Sequence, residues 1–564
     1  MSSTFTSLLS LRTILLTILA AAFAVRLLLV FSYEINWDEF FYLAQVYDFE
    51  RGALTKTLQT LHVRFFSWLA FAGANEVNQI ILARLLMWVL NLATTFFVFD
   101  ISRKFTSENA ALLGALCFSA FSLVVQHGAS FRADPIAAFF LMAALWLILC
   151  RNRFVLAGVC TGISGMITIK AAFYAPAILA VLGMTALHSS DKRRTLLCAL
   201  AYCATTAASF ALLYFWHRTG ITSVSGEGSG ALMARSYSKT ISSAGVFPQW
   251  GVFWRAGITN LVFWGAFASG VYALLKTITK EGWKPRIESV LLLGLAAPLV
   301  SFLIYRNAFP YFYAFILPPL AVVCALGFDR FVTPKPDGSR HPVILVSVIV
   351  IAATLSANTL KALGKDLSGQ HRVLEVVHKM FPEPVSYIDR CSMVAAFAKH
   401  GFFMSSWGME NYYSRGKPIM RDALLAAQPK FLLANTESLD ISRLNADAFG
   451  PRHYGLLRED VGVLKQNFIP HWGPIYVAGK RFDFVSNFES VQFDIMISGP
   501  YTFESGGAFR LDGEKINPGD KRFLNRGTHT LTPIGAEQRA TLRWGNDLYK
   551  PTDPPPVGPV FKGF

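Results

Sequence analysis

Two adjacent acidic residues, Asp38 and Glu39, follow the first long apolar segment of the chain, in the run INWDEFFY at positions 35–42. Acidic groups at a membrane surface among aromatic side chains are costly to place, which makes this pair a candidate functional site. A carboxylate near a hydroxyl group can accept its proton as the hydroxyl attacks an electrophile. Proton transfer is therefore one chemistry open to this pair, and Glu39 could instead orient a ligand, bind a metal or solvate the loop. In the simplest alternative, both acids only stabilise the N-terminus of the next helix.

The composition indicates a membrane protein with a soluble C-terminal region. Of 564 residues, 53% are hydrophobic and 16% are charged, and nearly all long apolar runs lie in residues 1–360. Residues 361–564 mix polar runs with turn residues. The net charge is +16, and most of it lies in the membrane part, where excess positive charge orients helices. A nucleic-acid partner is therefore not needed to explain the charge.

Eleven apolar segments predict about eleven transmembrane helices, the shortest of them inside a helical bundle. Positive residues fall in alternate connections, and the positive-inside rule places those connections in the cytoplasm. The N-terminus is then cytoplasmic, and the remaining connections and everything after residue 360 are external. The first segment continues past a possible signal-peptide cleavage site, which favours a retained helix. The predicted segments are 12–33, 78–100, 109–126, 135–150, 154–169, 174–188, 195–216, 252–275, 287–304, 311–329 and 342–360.

The regions outside the predicted helices differ in character. The first external loop, 34–77, contains an amphipathic stretch from Leu54 to Phe71 that suits helices lying in the membrane interface. Residues 361–470 alternate helical patterns with short apolar runs, which predicts an α/β domain. Residues 471–564 alternate strand patterns with turns and end in a Pro-rich tail, which predicts a β-sandwich-like domain, with carbohydrate binding as one hypothesis.

Two common kinds of functional motif are not found in the sequence. Six of the seven cysteines lie in or beside apolar runs, where cysteine behaves as a small hydrophobic residue. Only Cys391 lies in the soluble region, so we expect no disulfide within it and no zinc site. The glycine-rich run from Gly226 to Gly230 lacks the Lys-Ser/Thr of a phosphate-binding loop, and we interpret it as a flexible external loop.

The arrangement of a first helix, an external loop with an Asp-Glu pair and interface helices resembles the GT-C membrane glycosyltransferases. The most similar families are the protein O-mannosyltransferases and the lipid A aminoarabinose transferases. The resemblance covers about residues 10–330 and rests on short motifs. It implies that residues 1–360 form a catalytic domain in which an acceptor attacks a sugar carried on a polyprenyl phosphate, at the external membrane surface. Asp38 matches the acid that these families place near the acceptor, which implies that it acts as the general base.

The resemblance gives roles to three charged residues in two further connections. Arg132 and Asp134, in the run RADP, resemble a second acidic motif that lies near the donor phosphate or a metal. Helix capping alone would explain Asp134 and the proline after it, but not Arg132. Lys170, in the run TIKAAFYAP, resembles a Thr-Lys segment and would hold a lipid phosphate. The alternative for Lys170 is a lysine that reaches the membrane interface.

The last predicted external turn contains Tyr305, Arg306 and Tyr311, and it resembles a basic or aromatic turn before a Pro-containing helix. Arg306 would grip the phosphate with its planar guanidinium group, unless this turn is only an interfacial aromatic belt. His62 and Arg64 lie where the aminoarabinose transferases have a lysine followed by proline. This chain has neither, so His62 or Arg64 would have to substitute.

The sequence therefore predicts a transferase with Asp38, Glu39 and Asp134 as catalytic residues. The expected partners are a polyprenyl-phosphate sugar donor, membrane lipids and an acceptor that is a lipid, a glycan or a protein. A divalent cation, Mg²⁺ or Mn²⁺, bound by Glu39 or Asp134 is one alternative. The expected location is the bacterial inner membrane, with the C-terminal region in the periplasm. A lipid or solute transporter, and a non-catalytic scaffold for the external region, are the competing hypotheses.

Overall fold

The computed structural model describes residues 10–221, 245–281, 287–332, 341–442, 455–484, 490–534 and 539–562. The glycine-rich run at 226–230 lies outside these ranges. The chain divides into two compact units. The first, the membrane unit, comprises residues 1–33, 48–72 and 81–366. The second, which we call the external unit after its predicted location, comprises residues 34–47, 73–80 and 367–564. Two pieces of the first predicted external loop thus belong to the same unit as the C-terminal region.

The structure has a helix at each of the eleven predicted membrane segments. Among the described residues, eight helices are long and apolar enough to cross a membrane, and three shorter apolar helices occupy the segments at 109, 154 and 287. The chain is therefore a multi-pass α-helical membrane protein. The helices up to residue 363 are α1 (Leu11–Ser32), α2 (Trp37–Glu50), α3 (His62–Phe66), α4 (Glu76–Ser102), α5 (Glu108–Ala120), α6 (Ser122–His127), α7 (Ala133–Arg151), α8 (Phe154–Ile167), α9 (Ala175–His188), α10 (Lys192–Arg218), α11 (Trp250–Thr259), α12 (Leu261–Glu281), α13 (Ile287–Ala296), α14 (Ser301–Ile304), α15 (Phe312–Val332) and α16 (Pro342–Leu363).

Two predicted helices are each broken in the structure. The segment predicted at 109–126 is interrupted at Phe121, and the segment predicted at 252–275 is interrupted at Asn260. The breaks face each other, because Asn260 Oδ1 accepts a hydrogen bond from the Ser122 amide at 2.8 Å and its Nδ2 donates to Ser122 Oγ at 2.8 Å. A helix break frees backbone groups that must be satisfied inside the protein. The Asn260 side chain is the hydrogen-bond partner of the freed Ser122 amide. The apolar character of the two segments does not predict this contact.

The contacts of the membrane unit separate its connections into two groups. Asp329 Oδ1 accepts from the Ser107 amide at 2.8 Å, and Lys104 donates to the Leu149 carbonyl, so connections rich in positive charge meet one another. The connections predicted to be external also meet one another. His217 Nε2 is 2.9 Å from Thr60 Oγ1, and the other contacts of this group form the candidate site below. This grouping agrees with the predicted alternation of the loops.

The external unit is built on two β-sheets. The strands are β1 (Tyr387–Ile388), β2 (Lys399–His400), β3 (Phe431–Leu433), β4 (Phe468–Trp472), β5 (Ile475–Asp483), β6 (Val491–Ile495), β7 (Gly499–Ser505), β8 (Phe509–Leu511), β9 (Glu514–Ile516), β10 (Lys521–Leu524), β11 (Gly527–Pro533) and β12 (Arg539–Trp544). One sheet has the strand order β10-β7-β12-β5-β3-β1-β2, with β4 also paired to β5, and the other has the order β6-β11-β8-β9. β1 is parallel to β2 and β3, as in an α/β domain, whereas the later strands pair antiparallel.

The predicted sandwich is present, and its core lies between the two sheets. Phe482, Phe503 and Leu542 from the first sheet pack with Phe509 and Leu531 from the second. The predicted boundary at residue 470 falls within one continuous sheet, because β5 pairs with β3 on one side and with β12 on the other. The helices of this unit are α17 (Ser368–Met380), α18 (Ser406–Arg415), α19 (Met420–Ala427) and α20 (Arg458–Asn467).

Candidate active site

Three predicted residues of the membrane unit meet in one buried cluster. Asp134 lies in the first turn of α7 and is 1% exposed, and its Oδ1 is 2.6 Å from Lys170 Nζ. Arg132, directly before α7, is also buried, and its Nε lies 3.8 Å from Asp134 Oδ2. Lys170 is the second residue of the short 3₁₀-helix Ile169–Tyr174, and Thr168 Oγ1 accepts a hydrogen bond from its amide. Two cations from separate connections thus flank one carboxylate.

Aromatic side chains from the turn before α15 complete this cluster. The guanidinium carbon of Arg132 lies 3.5 Å from the Tyr311 ring centroid, and Lys170 Nζ lies 5.0 Å from the same centroid. Cations placed over an aromatic face are attracted by its negative charge density. Tyr305 packs on Phe173, which follows Lys170 in the 3₁₀-helix, with ring centroids 5.1 Å apart. The structure therefore brings Arg132, Asp134, Lys170, Tyr305 and Tyr311 together.

The other predicted residues of the membrane unit have different surroundings. His62 is buried, and its ring lies 6.4 Å from Phe131, the residue before Arg132. Arg64 stacks against Trp216 and donates to the Trp216 carbonyl at 3.1 Å, at the C-terminus of α10. The carbonyl of Arg306 accepts from Gln249 Nε2 at 2.9 Å. A substrate-binding role for His62, Arg64 and Arg306 stays a prediction.

Asp38 and Glu39 lie in the first turn of α2, within the external unit. Glu39 is 1% exposed, and its Oε1 accepts from the Asn36 amide at 3.1 Å, while Asn36 Oδ1 accepts from the Asp38 amide at 3.0 Å. These reciprocal contacts form a helix cap. Glu39 therefore makes the stabilising contact that the simplest alternative expected.

The apo structure of ArnT, the lipid A aminoarabinose transferase, from Cupriavidus metallidurans has a TM-score of 0.51 and 13% identity, covering 74% of this chain and 92% of that chain. The chain has the GT-C fold. ArnT bound to undecaprenyl phosphate has a TM-score of 0.49 and 14% identity, covering 71% of this chain and 88% of that chain. The Archaeoglobus fulgidus oligosaccharyltransferase tethered with an acceptor peptide has a TM-score of 0.48 and 11% identity, covering 96% of this chain and 97% of that chain.

No family model and no curated protein sequence matches this chain. At 13% identity, the likeness to the apo ArnT structure establishes the GT-C fold and leaves the substrates of this chain to be inferred from its own residues.

Sequence reasoning missed the residues of this GT-C protein that hold the loop with Asp38. The Gln370 side chain accepts from the Ile35 amide at 2.9 Å and donates to the Ile35 carbonyl at 2.8 Å. The guanidinium carbon of Arg390 lies 4.0 Å from the Trp37 ring centroid. Burial lowers the pKa of Arg390, and nearby negative groups, Asp38 among them, oppose that shift. The external unit therefore positions Asp38, which no short motif could reveal across more than 300 residues.

Sequence reasoning also missed a buried arginine inside a membrane helix of the GT-C fold. Arg26, in α1, donates to Asn91 Oδ1 at 2.5 Å and to the Ser119 carbonyl at 2.6 Å. A charged residue inside a membrane helix is costly unless it is well bonded. Arg26 thus joins three helices of the membrane unit. An arginine in an otherwise apolar run was the signal that could have found it.

The predicted metal ligands do not form a metal site in the structure. Asp134 is paired with Lys170, and Glu39 caps α2. Among the described residues, no group of three His, Cys, Asp or Glu side chains lies close enough to hold a metal ion. A cation beside Asp134 would face the ammonium group of Lys170, so these residues do not fit a divalent ion.

Proposed function

We propose that this protein is a multi-pass membrane glycosyltransferase that moves a sugar from a polyprenyl-phosphate donor to an acceptor hydroxyl at the external face of the bacterial inner membrane. The observation that carries the proposal is the cluster in which Arg132 and Lys170 flank Asp134 and share the face of Tyr311. Fixed cations in a buried site suit a lipid phosphate, and the GT-C fold supplies the membrane setting.

The cluster would act on the leaving group. As the bond between the sugar C1 atom and the phosphate oxygen breaks, negative charge grows on that oxygen, and fixed cations stabilise it. Asp134 keeps the Lys170 ammonium in place through the 2.6 Å ion pair. Tyr311 limits where the Arg132 guanidinium can lie. The products of the complete reaction are a polyprenyl phosphate and a sugar bound to the acceptor.

Asp38 would act on the attacking group. Its carboxylate accepts the proton of the acceptor hydroxyl while the oxygen forms its bond to C1. A single displacement of this kind inverts the configuration at C1. Gln370 and Arg390 are positioning residues in this scheme, because they hold the backbone and the indole ring directly before Asp38. The acceptor is a lipid, a glycan or a protein.

Replacement of Asp38 tests the base. Asp38→Asn keeps the size of the side chain, and turnover of polyprenyl-phosphate sugars by the purified protein should fall by roughly 10²–10⁴-fold. Asp48→Asn is the matched control, because Asp48 is a half-exposed acid at the other end of α2 that pairs with Arg51. An Asp38→Asn protein that assembles normally and transfers sugar at the wild-type rate would remove Asp38 from the mechanism.

Binding of undecaprenyl phosphate tests the phosphate grip independently of the acceptor. Lys170→Ala should weaken binding by roughly 2–5 kcal/mol, because a buried charged contact is lost. Lys192→Ala is the control, since Lys192 is exposed at the start of α10. Equal affinity in both variants would contradict the grip. A protein that binds the lipid and never turns over any donor would favour a transporter or a scaffold instead.

A further inference from the structure

Lys480 occupies an unusual position on β5 of the external unit. Successive residues of a strand point to opposite faces, so Tyr476, Ala478, Lys480 and Phe482 share one face of the sheet. Tyr476 and Ala478 belong to the apolar core beside α19 and α20, and Phe482 belongs to the core of the sandwich. The lysine therefore lies between two hydrophobic cores, on the face that a buried strand normally fills with apolar side chains.

An open groove of about 980 Å³ lies over this lysine, between β4 and β5 on one side and β6 on the other. We call it the β5–β6 groove. Phe482 and Phe493 give it aromatic surface, and their ring centroids are 4.8 Å apart. Asn467 and Gln492 line it with amide groups. Among the described residues, its cationic lining residues are Arg421, Lys465, Lys480 and Arg481, and Asp494 is the one acidic lining residue.

The Lys480 ammonium is poorly neutralised within the described part of the chain. It has no hydrogen bond or ion pair with another described residue. Burial lowers its pKa to about 8, and the charge of Asp494 opposes that shift. The Asp494 carboxylate is engaged elsewhere, because its Oδ1 accepts from Thr528 Oγ1 at 2.7 Å. A cation that has lost water without gaining a partner would gain from an anionic ligand.

We propose that the β5–β6 groove binds an anionic saccharide, a glycan that carries carboxylate or phosphate groups. The rings of Phe493 and Phe482 suit the apolar C–H face of a sugar, and the amides of Asn467 and Gln492 suit its hydroxyl groups. The excess of cations suits its acidic groups, with Lys480 at the centre. The groove lies within the external unit and does not depend on the transferase mechanism.

Titration of the full-length protein in detergent with defined oligosaccharides tests this proposal. The probes are an oligogalacturonate, a phosphorylated oligomannoside and, as the neutral control, maltohexaose. The wild-type protein should bind at least one acidic probe, more weakly at high salt, and maltohexaose far more weakly. Lys480→Gln should weaken binding about tenfold or more, which is the loss of one charge-assisted hydrogen bond. Lys480→Arg, which keeps the charge, should stay within a few fold, and Phe493→Ala should also weaken binding.

Two controls separate the groove from other cationic surfaces. Lys515→Gln removes an exposed charge on β9, at the opposite edge of the second sheet, and Lys192→Gln removes an exposed charge of the membrane unit. Both variants should bind the acidic probe as the wild type does. The proposal is overturned if neither acidic probe binds, if maltohexaose binds equally well, or if Lys480→Gln and Lys515→Gln lose the same affinity.

Discussion

The Lys170 ammonium and the Asp134 carboxylate form a 2.6 Å ion pair between two connections that lie 36 residues apart in the chain. Both side chains are largely shielded, with 13% and 1% of their surfaces exposed. Burying two charges is unfavourable unless they are paired. The pair therefore fixes the start of α7 against the 3₁₀-helix at Ile169–Tyr174, and it holds one cation of the proposed phosphate grip in a defined place.

This pair predicts a difference between single and double replacements. Lys170→Met should lower the free energy of unfolding by about 3–5 kcal/mol, because it leaves a buried carboxylate without its closest cation. Combined replacement by Lys170→Met and Asp134→Leu should recover much of that loss, since apolar residues can replace a buried pair. Thermal unfolding of the wild type, the two single variants and the double variant in detergent gives this double-mutant cycle. Additive losses in the double variant would show that the two residues are not coupled.

The orientation of the membrane helices predicts the location of fused reporters. A reporter placed after residue 360 should lie outside the cytoplasm, and one placed near Lys192 should lie inside, because positive residues mark alternate loops. Alkaline phosphatase and green fluorescent protein fusions report the two sides. If both fusions lie on the same side, the predicted orientation and an external reaction are both wrong.

A histidine in the external unit predicts a dependence of stability on pH. His378 Nε2 lies 2.8 Å from Glu76 Oε2, and Glu76 Oε1 also accepts from the Ala396 amide at 3.1 Å. Burial lowers the pKa of His378, whereas the hydrogen bond and the charge of Glu76 raise it. The two effects of Glu76 together outweigh burial, so the pKa of His378 lies above 6.5. The stabilisation is complete below pH 6.5 and is lost as pH rises through the raised pKa.

Unfolding temperatures of wild type and His378→Gln across this range test the dependence. Their difference should be largest at acidic pH and should shrink as the pH rises above 6.5. His400 is the matched contrast, because burial and the charge of Lys399 lower its pKa. Its contribution should instead be lost as the pH falls below 6.5. An equal effect of His378→Gln at every pH would mean that the Glu76 contact does not depend on protonation.

The paired helix breaks predict a cost for losing one amide. Asn260→Leu keeps the approximate size of the side chain but leaves the Ser122 amide without its partner, which should cost about 1–3 kcal/mol of unfolding free energy. Thr259→Ala removes a neighbouring hydroxyl and should cost less, because that hydroxyl is more exposed. Heat-induced unfolding of the detergent-solubilised protein distinguishes them. Equal stability of Asn260→Leu and wild type would show that the break at Phe121 does not need the contact.

The positions of the membrane helices, and the charged residues beside them, follow from local sequence. Apolar runs such as 12–33 and 342–360 predict α1 and α16 within a few residues, because burial in a membrane demands a local, uninterrupted apolar stretch. The alternating patterns after residue 470 likewise predict the strand-rich region. The run RADP and Lys170 could be selected as candidates because charged residues in apolar surroundings are rare.

Which of those residues meet depends on the packing of elements that are distant in the sequence. Three kinds of contact join distant parts of the chain: the ion pair of Lys170 with Asp134, the cation–ring contact with Tyr311, and the hydrogen bond between Gln370 and Ile35. Glu39 caps α2 because the Asn36 amide lies within hydrogen-bond distance of its carboxylate. Such contacts depend on how elements pack, and local hydrophobic periodicity contains no information about partners that lie hundreds of residues away.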